Sequence, residues 1–378
     1  MSTGTWIERT WTPAGGRGAS APYRAFVPAP IATLPVALGG EAITALVEAS
    51  GALAVWSARP YDATLDDLLT RTEAVASSAF EQVTAAPAAV SHALLNPGSV
   101  RDENLRLILG NMAALERAAR IGTRITAPDR PFTLADLLDI HRDLIAGTRP
   151  DGGCVRDQIV WIGGYLSTPL NANFVPPPPE MLGALLEDLA AFLRRTDVPS
   201  LWQAIIAHAQ FETIHPFADG NGRTGRALMS TILTADSLAT PPLSPRLLAR
   251  PRAYIGALED FRTGNLDGCV ITFCSYFLGA LSAATRAEQS YRSALEELAG
   301  ILGPTRAGSS AQGALPLILT APLTDIGTLA LTLGVSFEAA SRAVGQLVTH
   351  GILAPDNRNL RARRFRCPRG ERLAREIA

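Results

Sequence analysis

Apolar residues recur at three- and four-residue steps through most of this chain, and that period predicts a mainly α-helical fold. Residues 40–91 carry it in Leu65, Leu68, Leu69, Val75, Phe80 and Val83. Further helices are expected over 102–121 and 131–145, the latter with Thr133 as a cap before Leu134. Leu182, Leu185, Leu186, Leu189, Phe192 and Leu193 form one apolar stripe, the mark of an amphipathic helix. Residues 201–211 hold no charged side chain, and a helix apolar on every side belongs in the core. A new helix is expected over 226–233. The most apolar stretch, 273–284, is shorter than the roughly 20 residues a bilayer requires, so it reads as one more buried helix.

Three segments break the helical period. Residues 1–35 are rich in Pro, Gly and Ala and are expected to wrap the surface with little regular structure. Over 151–179, paired glycines and four consecutive prolines bracket the β-type run Gln158-Ile-Val-Trp-Ile162, which predicts a hairpin leading into a stiff linker. Residues 305–313 are a small-residue linker. The tail beyond it resembles a winged helix: a helix over 326–333, a turn at Gly334-Val335, a second helix capped by Ser336 and running to about 350, then a two-stranded wing over 353–367. That wing would carry Arg358, Arg361, Arg363, Arg364 and Arg366.

Composition narrows the chemistry. The chain has 378 residues, 47% hydrophobic and 18% charged, enough for two or three domains with real cores. Its net charge of −1 gives no global field toward nucleic acid or membrane. Every basic residue apart from histidine is arginine. The absence of lysine excludes a Walker A loop and Schiff-base catalysis. Cys154, Cys269, Cys274 and Cys367 form no metal-ligand spacing, which suits a reducing, cytoplasmic setting. No basic flank followed by an apolar run opens the chain, so neither a signal peptide nor a membrane partner is expected.

The densest chemistry lies in His215-Pro-Phe-Ala-Asp-Gly-Asn-Gly-Arg-Thr-Gly-Arg226. His215 can take a proton near neutral pH, and Asp219 is a hard oxygen ligand suited to Mg²⁺. The Gly220-Asn221-Gly222 turn can aim backbone N–H groups at an anion where a helix begins. Arg223 and Arg226, three apart, can face one side of that helix and grip phosphate oxygens. The spacing Gly220-x-Gly222-x-x-Gly225 also fits a dinucleotide fingerprint, but the preceding segment reads as helix where that fingerprint needs a strand. His208, within the apolar helix, reads as a hydrogen-bonded core residue. His92, His141 and His350 belong to no motif.

The twelve residues match the Fic signature HxFx(D/E)GNGRxxR at every defined position, and the chain resembles a Fic-type protein adenylyltransferase over roughly 30–290. Ala207-His-Ala-Gln-Phe211 resembles the helix that precedes the signature, and the segment from Gly153-Cys-Val-Arg156 to Pro179 resembles the flap, whose edge would hold a target peptide by strand addition. The resemblance implies transfer of AMP from ATP to a Ser, Thr or Tyr hydroxyl of a target protein, or of the chain itself, with Mg²⁺ as cofactor. It makes His215 the base, Asp219 the metal ligand, and Gly220, Asn221, Gly222, Arg223, Thr224, Gly225 and Arg226 the nucleotide site. Tyr254 falls where the family often has a tyrosine near the base.

Ser77-Ser-Ala-Phe-Glu81-Gln82 resembles the family's inhibitory motif (S/T)xxxE(G/N), with Gln82 in place of Gly or Asn. The resemblance implies that Glu81 pairs with Arg226 and competes with the γ-phosphate. The domains expected are an N-terminal helical region (1–100), a Fic core with a β-hairpin flap (101–300) and a C-terminal winged helix (305–378). Rival readings are a Fic enzyme with another donor or with AMP-removing activity, and a nucleotide-sensing transcriptional regulator acting on DNA through its tail. Self-association into a homodimer is an open alternative.

Overall fold

The computed structural model describes residues 4–13, 20–126, 130–164, 168–306, 308–356 and 363–377. In chain order the elements are β1 (Gly4–Trp11), β2 (Ala21–Pro28), α1 (Gly40–Ser57), α2 (Ala63–Phe80), α3 (Pro87–Leu95), α4 (Glu103–Ile125), α5 (Leu134–Leu144), α6 (Leu182–Leu193), α7 (Ser200–Ile214) and α8 (Asn221–Ala235). They continue as α9 (Ser244–Ala249), α10 (Pro251–Thr263), α11 (Leu266–Leu302), α12 (Ser310–Thr320), β3 (Leu323–Asp325), α13 (Ile326–Leu333), α14 (Phe337–Thr349), β4 (Ala354–Asp356), β5 (Arg364–Arg366) and α15 (Pro368–Ile377). The fold is mainly α-helical, as the periodicity predicts.

The chain forms two compact units, each built from two stretches of sequence: residues 1–58 with 110–278, and residues 59–109 with 279–378. The sequence reading placed three consecutive domains; the structure groups the residues in two discontinuous ones.

In the first unit α7 is the axis. Every residue from Leu201 to Ile214 is buried, as its lack of charged residues over 201–211 predicts. It packs against α6, α8, α10 and β2. Its stability is tertiary: a helix with no polar face has nothing to offer water. At the start of α5, the Thr133 side chain and Asp136 form a reciprocal capping box, with Asp136 Oδ2 accepting from the Thr133 N–H at 2.8 Å.

The second unit joins α2 and α3 to the C-terminal elements. Arg71 Nη1 donates to the Thr320 carbonyl at 2.7 Å, and the Thr64 and Tyr291 hydroxyls lie 2.7 Å apart. A three-stranded antiparallel sheet runs in the order β3-β5-β4. Gly334 ends α13 at φ 64°, and Ser336 Oγ accepts from the Ala339 N–H at the start of α14.

Several expectations change. Residues 4–11 and 21–28 are not irregular: β1 and β2 pair over eight residues, from Gly4↔Pro28 to Trp11↔Ala21. From Ile7 to Trp11 every second residue is partly covered, and Ile7 and Trp11 pack with Tyr23, Ala25 and Val175. The expected strand at 158–162 reduces to one antiparallel bridge, Ile162↔Phe174, because the arm that would continue the pairing is Val175, whose carbonyl is bonded to Phe26, followed by prolines that have no N–H to donate. The apolar stretch 273–284 lies inside the 37-residue α11, which by length and composition alone could cross a membrane; half of its most apolar window is buried within the protein. The linker stops short of 313, because Ser309 caps α12 by accepting from the Gln312 N–H.

Candidate active site

The signature begins where α7 ends. His215 is the C-cap, in the left-handed region at φ 50° and ψ 60°, and its N–H still donates to the Phe211 carbonyl at 2.8 Å. Non-glycine residues rarely adopt that conformation, and here it turns the imidazole out of the helix line. The side chain keeps 20% exposure, with Nδ1 4.0 Å from Glu212 Oε2. Burial lowers its pKa to about 4, and the cations Arg156 and Arg262 push the same way against Glu212 and Asp219. The ring is therefore neutral at pH 7, and the Glu212 side leaves Nε2 as the nitrogen for an incoming proton.

The next helix starts earlier than the expected 226: α8 begins at Asn221, inside the signature. Only Gly220 is a true turn residue, at φ 79°. A Cβ there would also lie 2.8 Å from Leu144 Cδ2, so both conformation and space demand glycine. The first intrahelical bond runs from Thr224 N–H to the Gly220 carbonyl at 2.9 Å. The amides of Asn221, Gly222 and Arg223 thus form the dipole-positive end of a 15-residue helix. The Asn221 side chain does something other than line an anion hole. It grips the Phe217 backbone twice, Oδ1 accepting from the N–H at 2.9 Å and Nδ2 donating to the carbonyl at 2.8 Å.

Asp219 is the exposed acid of the loop, its side chain 44% accessible. Its Oδ1 accepts from the Gly220 N–H at 2.7 Å and faces Arg223 Nη2 at 3.4 Å, which leaves Oδ2 clear of both contacts. Arg223 and Arg226 are buried on the first two turns of α8. Thr224 is fully buried, and a Cβ on Gly225 would meet Glu212, Phe211 and His208, so the glycine lets α8 close on α7.

Tyr254 is also a core residue here. It is 3% exposed, and its hydroxyl lies 3.0 Å from His208 Nε2 within an aromatic group that includes Phe273. α10 turns it inward onto α7. His208 is the hydrogen-bonded core residue expected of it, with its pKa lowered to about 3 by burial.

Three side chains with no motif of their own complete the site. Arg156 is buried and binds four carbonyls: His215 at 2.8 Å, Gln158 at 2.8 Å, Pro177 at 2.7 Å and Ile214 at 3.5 Å. It caps the carbonyl end of α7 and ties both arms of the flap to it. Burial lowers its pKa to about 10. Arg262 stacks over Phe174 of the flap, 3.7 Å from the ring centroid. The flap is braced from outside as well: Val175 accepts from the Phe26 N–H of β2 at 2.9 Å, so the arm after the bridge is already paired.

The third is His141 on α5, which the sequence reading left without a role. It is 1% exposed and stacks on Phe217 at 3.6 Å with an interplanar angle of 8°. Its Nδ1 accepts from the Gly153 N–H at 3.0 Å, so the remaining proton sits on Nε2, which donates to the Asp219 carbonyl at 3.1 Å. The one signal in the sequence was a histidine on an amphipathic helix that otherwise buries only apolar residues.

Glu81 and Ser77 belong to the second unit. Ser77 is buried, and Glu81 follows the last residue of α2. Gln82 takes φ 64°, the left-handed conformation in which Gly or Asn is easiest. That accounts for the residue types the inhibitory motif prefers there. Of the wing arginines, Arg364 and Arg366 lie on β5 and Arg363 directly precedes it; Arg358 and Arg361 lie outside the described residues.

Comparison with known proteins agrees with this geometry. Residues 131–233 match the Fic/DOC family. Over 106 residues the chain is 38% identical to Protein adenylyltransferase Fic of Drosophila virilis and 37% identical to that of Aedes aegypti. Those stretches are 27% of this chain but only 20% and 19% of the relatives, so the chain spans about a fifth of their length. A Fic family protein from Desulfovibrio desulfuricans G20 superposes over 88% of this chain and 97% of its own, with a TM-score of 0.52 at 20% identity. Fic-1 from C. elegans, residues 134–508, superposes over 66% of this chain and 73% of its own, with a TM-score of 0.53 at 19% identity. At those identities the likeness is one of fold. The matched stretch, residues 131–233, runs from just before α5 nearly to the end of α8 and so takes in the whole signature loop.

Proposed function

We propose that the protein transfers AMP from ATP to a hydroxyl of a protein substrate. The observation that carries this is the pairing of a neutral, partly exposed His215 with the positive end of α8, on which Arg223 and Arg226 stand. The substrate oxygen gives its proton to His215 Nε2 and bonds to the α-phosphorus. The bond from that phosphorus to the bridging oxygen of the β-phosphate breaks, and pyrophosphate leaves with the electron pair. The amides at the head of α8 and the two guanidinium groups stabilise charge on the phosphate oxygens.

Among the described residues, no group of three or more His, Cys, Asp or Glu could hold a metal ion. A single exposed carboxylate with a clear oxygen fits Mg²⁺, which takes one or two protein ligands and completes its shell with phosphate and water. Asp219 is that ligand in this reading, and Mg²⁺ would neutralise charge on the phosphates.

Control is assigned to Glu81. The motif Ser77-x-x-x-Glu81 and the left-handed Gln82 that follows it support the reading. In the same reading the C-terminal elements are a winged helix that recruits a protein partner, the net charge being too low to favour DNA. The four cysteines are free thiols, in keeping with a cytoplasmic protein.

The test is incorporation of label from α-labelled ATP with Mg²⁺, comparing wild type, Glu81→Gly and Glu81→Gly with His215→Ala. Label in the Glu81→Gly sample alone is the expected result. Equal label in all three removes both assignments, and no label in any overturns AMP transfer.

A further inference from the structure

We infer that His141 is a positioning residue that sets the Asp219 carboxylate through the peptide plane between Asp219 and Gly220. The inference rests on the nucleotide-transfer reading of the loop and adds a residue outside the signature to it.

The argument starts from one peptide unit. In a trans peptide the C=O and the following N–H point in opposite directions, so fixing one fixes the other. Here the Asp219 carbonyl accepts from His141 Nε2 at 3.1 Å, while the Gly220 N–H donates to Asp219 Oδ1 at 2.7 Å. One peptide plane is thus held at both edges, by the imidazole on one side and by the carboxylate on the other. If the plane turned, the Gly220 N–H would leave Oδ1 and the carboxylate would lose the bond that orients it.

The imidazole is itself rigid. It lies flat on Phe217 at 3.6 Å, and its Nδ1 is occupied by the Gly153 N–H at 3.0 Å. Phe217 is clamped in turn by both ends of the Asn221 amide. Gly220 has no side chain that could intervene, and a Cβ there would sit 3.5 Å from the His141 ring. A buried neutral histidine has one donor and one acceptor nitrogen, and this one spends both on the site, Nδ1 on the start of the flap and Nε2 on the acidic turn, while stacked on Phe217 of that same turn.

The two ring nitrogens can be separated by substitution. In His141→Gln the terminal amide nitrogen reaches the place of Nε2 and can donate to Asp219. In His141→Asn the shorter amide reaches only the place of Nδ1 and can serve only Gly153. Both lose the ring stack equally. Calorimetric titration of ATP, with Mg²⁺ and with a chelator, would be run on the full chain carrying His215→Ala so that no turnover intervenes.

The expected result is that His141→Asn weakens Mg²⁺-dependent ATP binding about tenfold, the size of loss typical when a partner of a metal ligand is removed. Binding without Mg²⁺ stays within about twofold, and His141→Gln stays near the parent in both titrations. Equal losses in the two variants, or an equal loss with and without Mg²⁺, would overturn the inference and leave His141 as packing. A His215→Ala parent that binds no ATP under either condition would overturn the nucleotide-transfer reading itself, and this inference with it.

Discussion

The acidic turn and the flap are both irregular segments around one helix end, yet they are held together in different ways. In the turn, most bonds join residues four apart or fewer: Phe217 with Asn221, Asp219 with Gly220 and Arg223, Gly220 with Thr224. In the flap they reach across the sequence. Arg156 binds carbonyls 2, 21, 58 and 59 residues away, and Val175 pairs with Phe26. A locally bonded loop carries its shape in its own residues, whereas a remotely bonded one borrows its shape from the rest of the fold.

The largest effect that follows is on the flap. Arg156→Ala removes one side chain and strips partners from four carbonyls, some of them at the buried end of α7. With roughly 1–3 kcal/mol for each buried polar group left unsatisfied, a loss of about 4 kcal/mol is expected. Denaturant midpoints measure it. Arg156→Lys should recover little, because one ammonium cannot reach carbonyls on both flap arms and on α7. A loss below about 1 kcal/mol would mean that the flap is held mainly by Phe26, Phe174 and Arg262.

Gly220→Ala is the matching test in the turn. The left-handed conformation costs an alanine roughly 1–2 kcal/mol, and the 2.8 Å approach to Leu144 adds to it. A total near 3 kcal/mol is expected, together with loss of ATP binding, since the head of α8 must shift. A stable variant that still binds ATP would show that the turn tolerates another path.

This contrast also explains what could be read from the sequence. His215, Asp219, Gly220, Arg223 and Arg226 were legible as a candidate site because they lie in one window whose turn bonds close on themselves. The buried α7 and the capped α5 and α14 were legible for the same reason, each marked by its own period and cap. His141 was not, because its two partners lie 12 and 78 residues away and an isolated histidine looks the same whether it packs or positions. The strand at 158–162 was overread: its residues favour β structure, but the arm opposite them is a run of prolines that cannot donate to a ladder. The strand pair at 4–11 and 21–28 was missed because Pro, Gly and Ala dominate this stretch and the apolar residues of β1, Trp6, Ile7 and Trp11, do not alternate cleanly. Thr224, Gly225 and Tyr254 were assigned by position in a pattern; in the fold Thr224 and Tyr254 are buried and Gly225 lies where α8 meets α7.

Acid should separate the two regions next. His141 and His215 have pKa values lowered to about 4 and His208 to about 3, in each case chiefly by burial. Below an unfolded value near 6.5 the unfolded chain takes up protons that the folded state refuses, so stability falls as pH drops from about 6.5 toward 4. It levels off below about 3, once the folded histidines are also charged. All three sit on or beside α7, and residues 151–177 contain no histidine. Protonation of His141 falls on Nδ1 and breaks its bond from Gly153, so hydrogen exchange at pH 5 should loosen the Gly153 end of the flap and the residues around α7 before the flap arm at 174–177. The reverse order would place the sensitive groups elsewhere. The same shift predicts an acid limb for kcat/KM well below pH 6. The limb for kcat should lie higher, because bound triphosphate adds negative charge beside His215 and favours its protonated form.

The smallest effect concerns left-handed residues that are not glycine. His215 at φ 50° and Gln82 at φ 64° each follow a helix and carry a comparable conformational penalty. At His215 the conformation aims a side chain that the chemistry needs, so glycine there would relieve strain and abolish transfer. At Gln82 it serves the backbone: its N–H bonds the Ala79 carbonyl, and the next N–H, of Val83, bonds the Ser78 carbonyl, closing α2. Gln82→Gly should therefore keep those bonds and relieve roughly 1–2 kcal/mol of strain. The greater freedom of glycine in the unfolded chain offsets about half of that, leaving a net gain under about 1 kcal/mol in the urea midpoint. If Glu81 does restrain transfer, a better-closed α2 holds it more firmly, and AMP incorporation should fall slightly below wild type. A drop in stability would show that the glutamine side chain contributes more than its backbone strain costs, and that its departure from Gly or Asn is an adaptation of this chain's own.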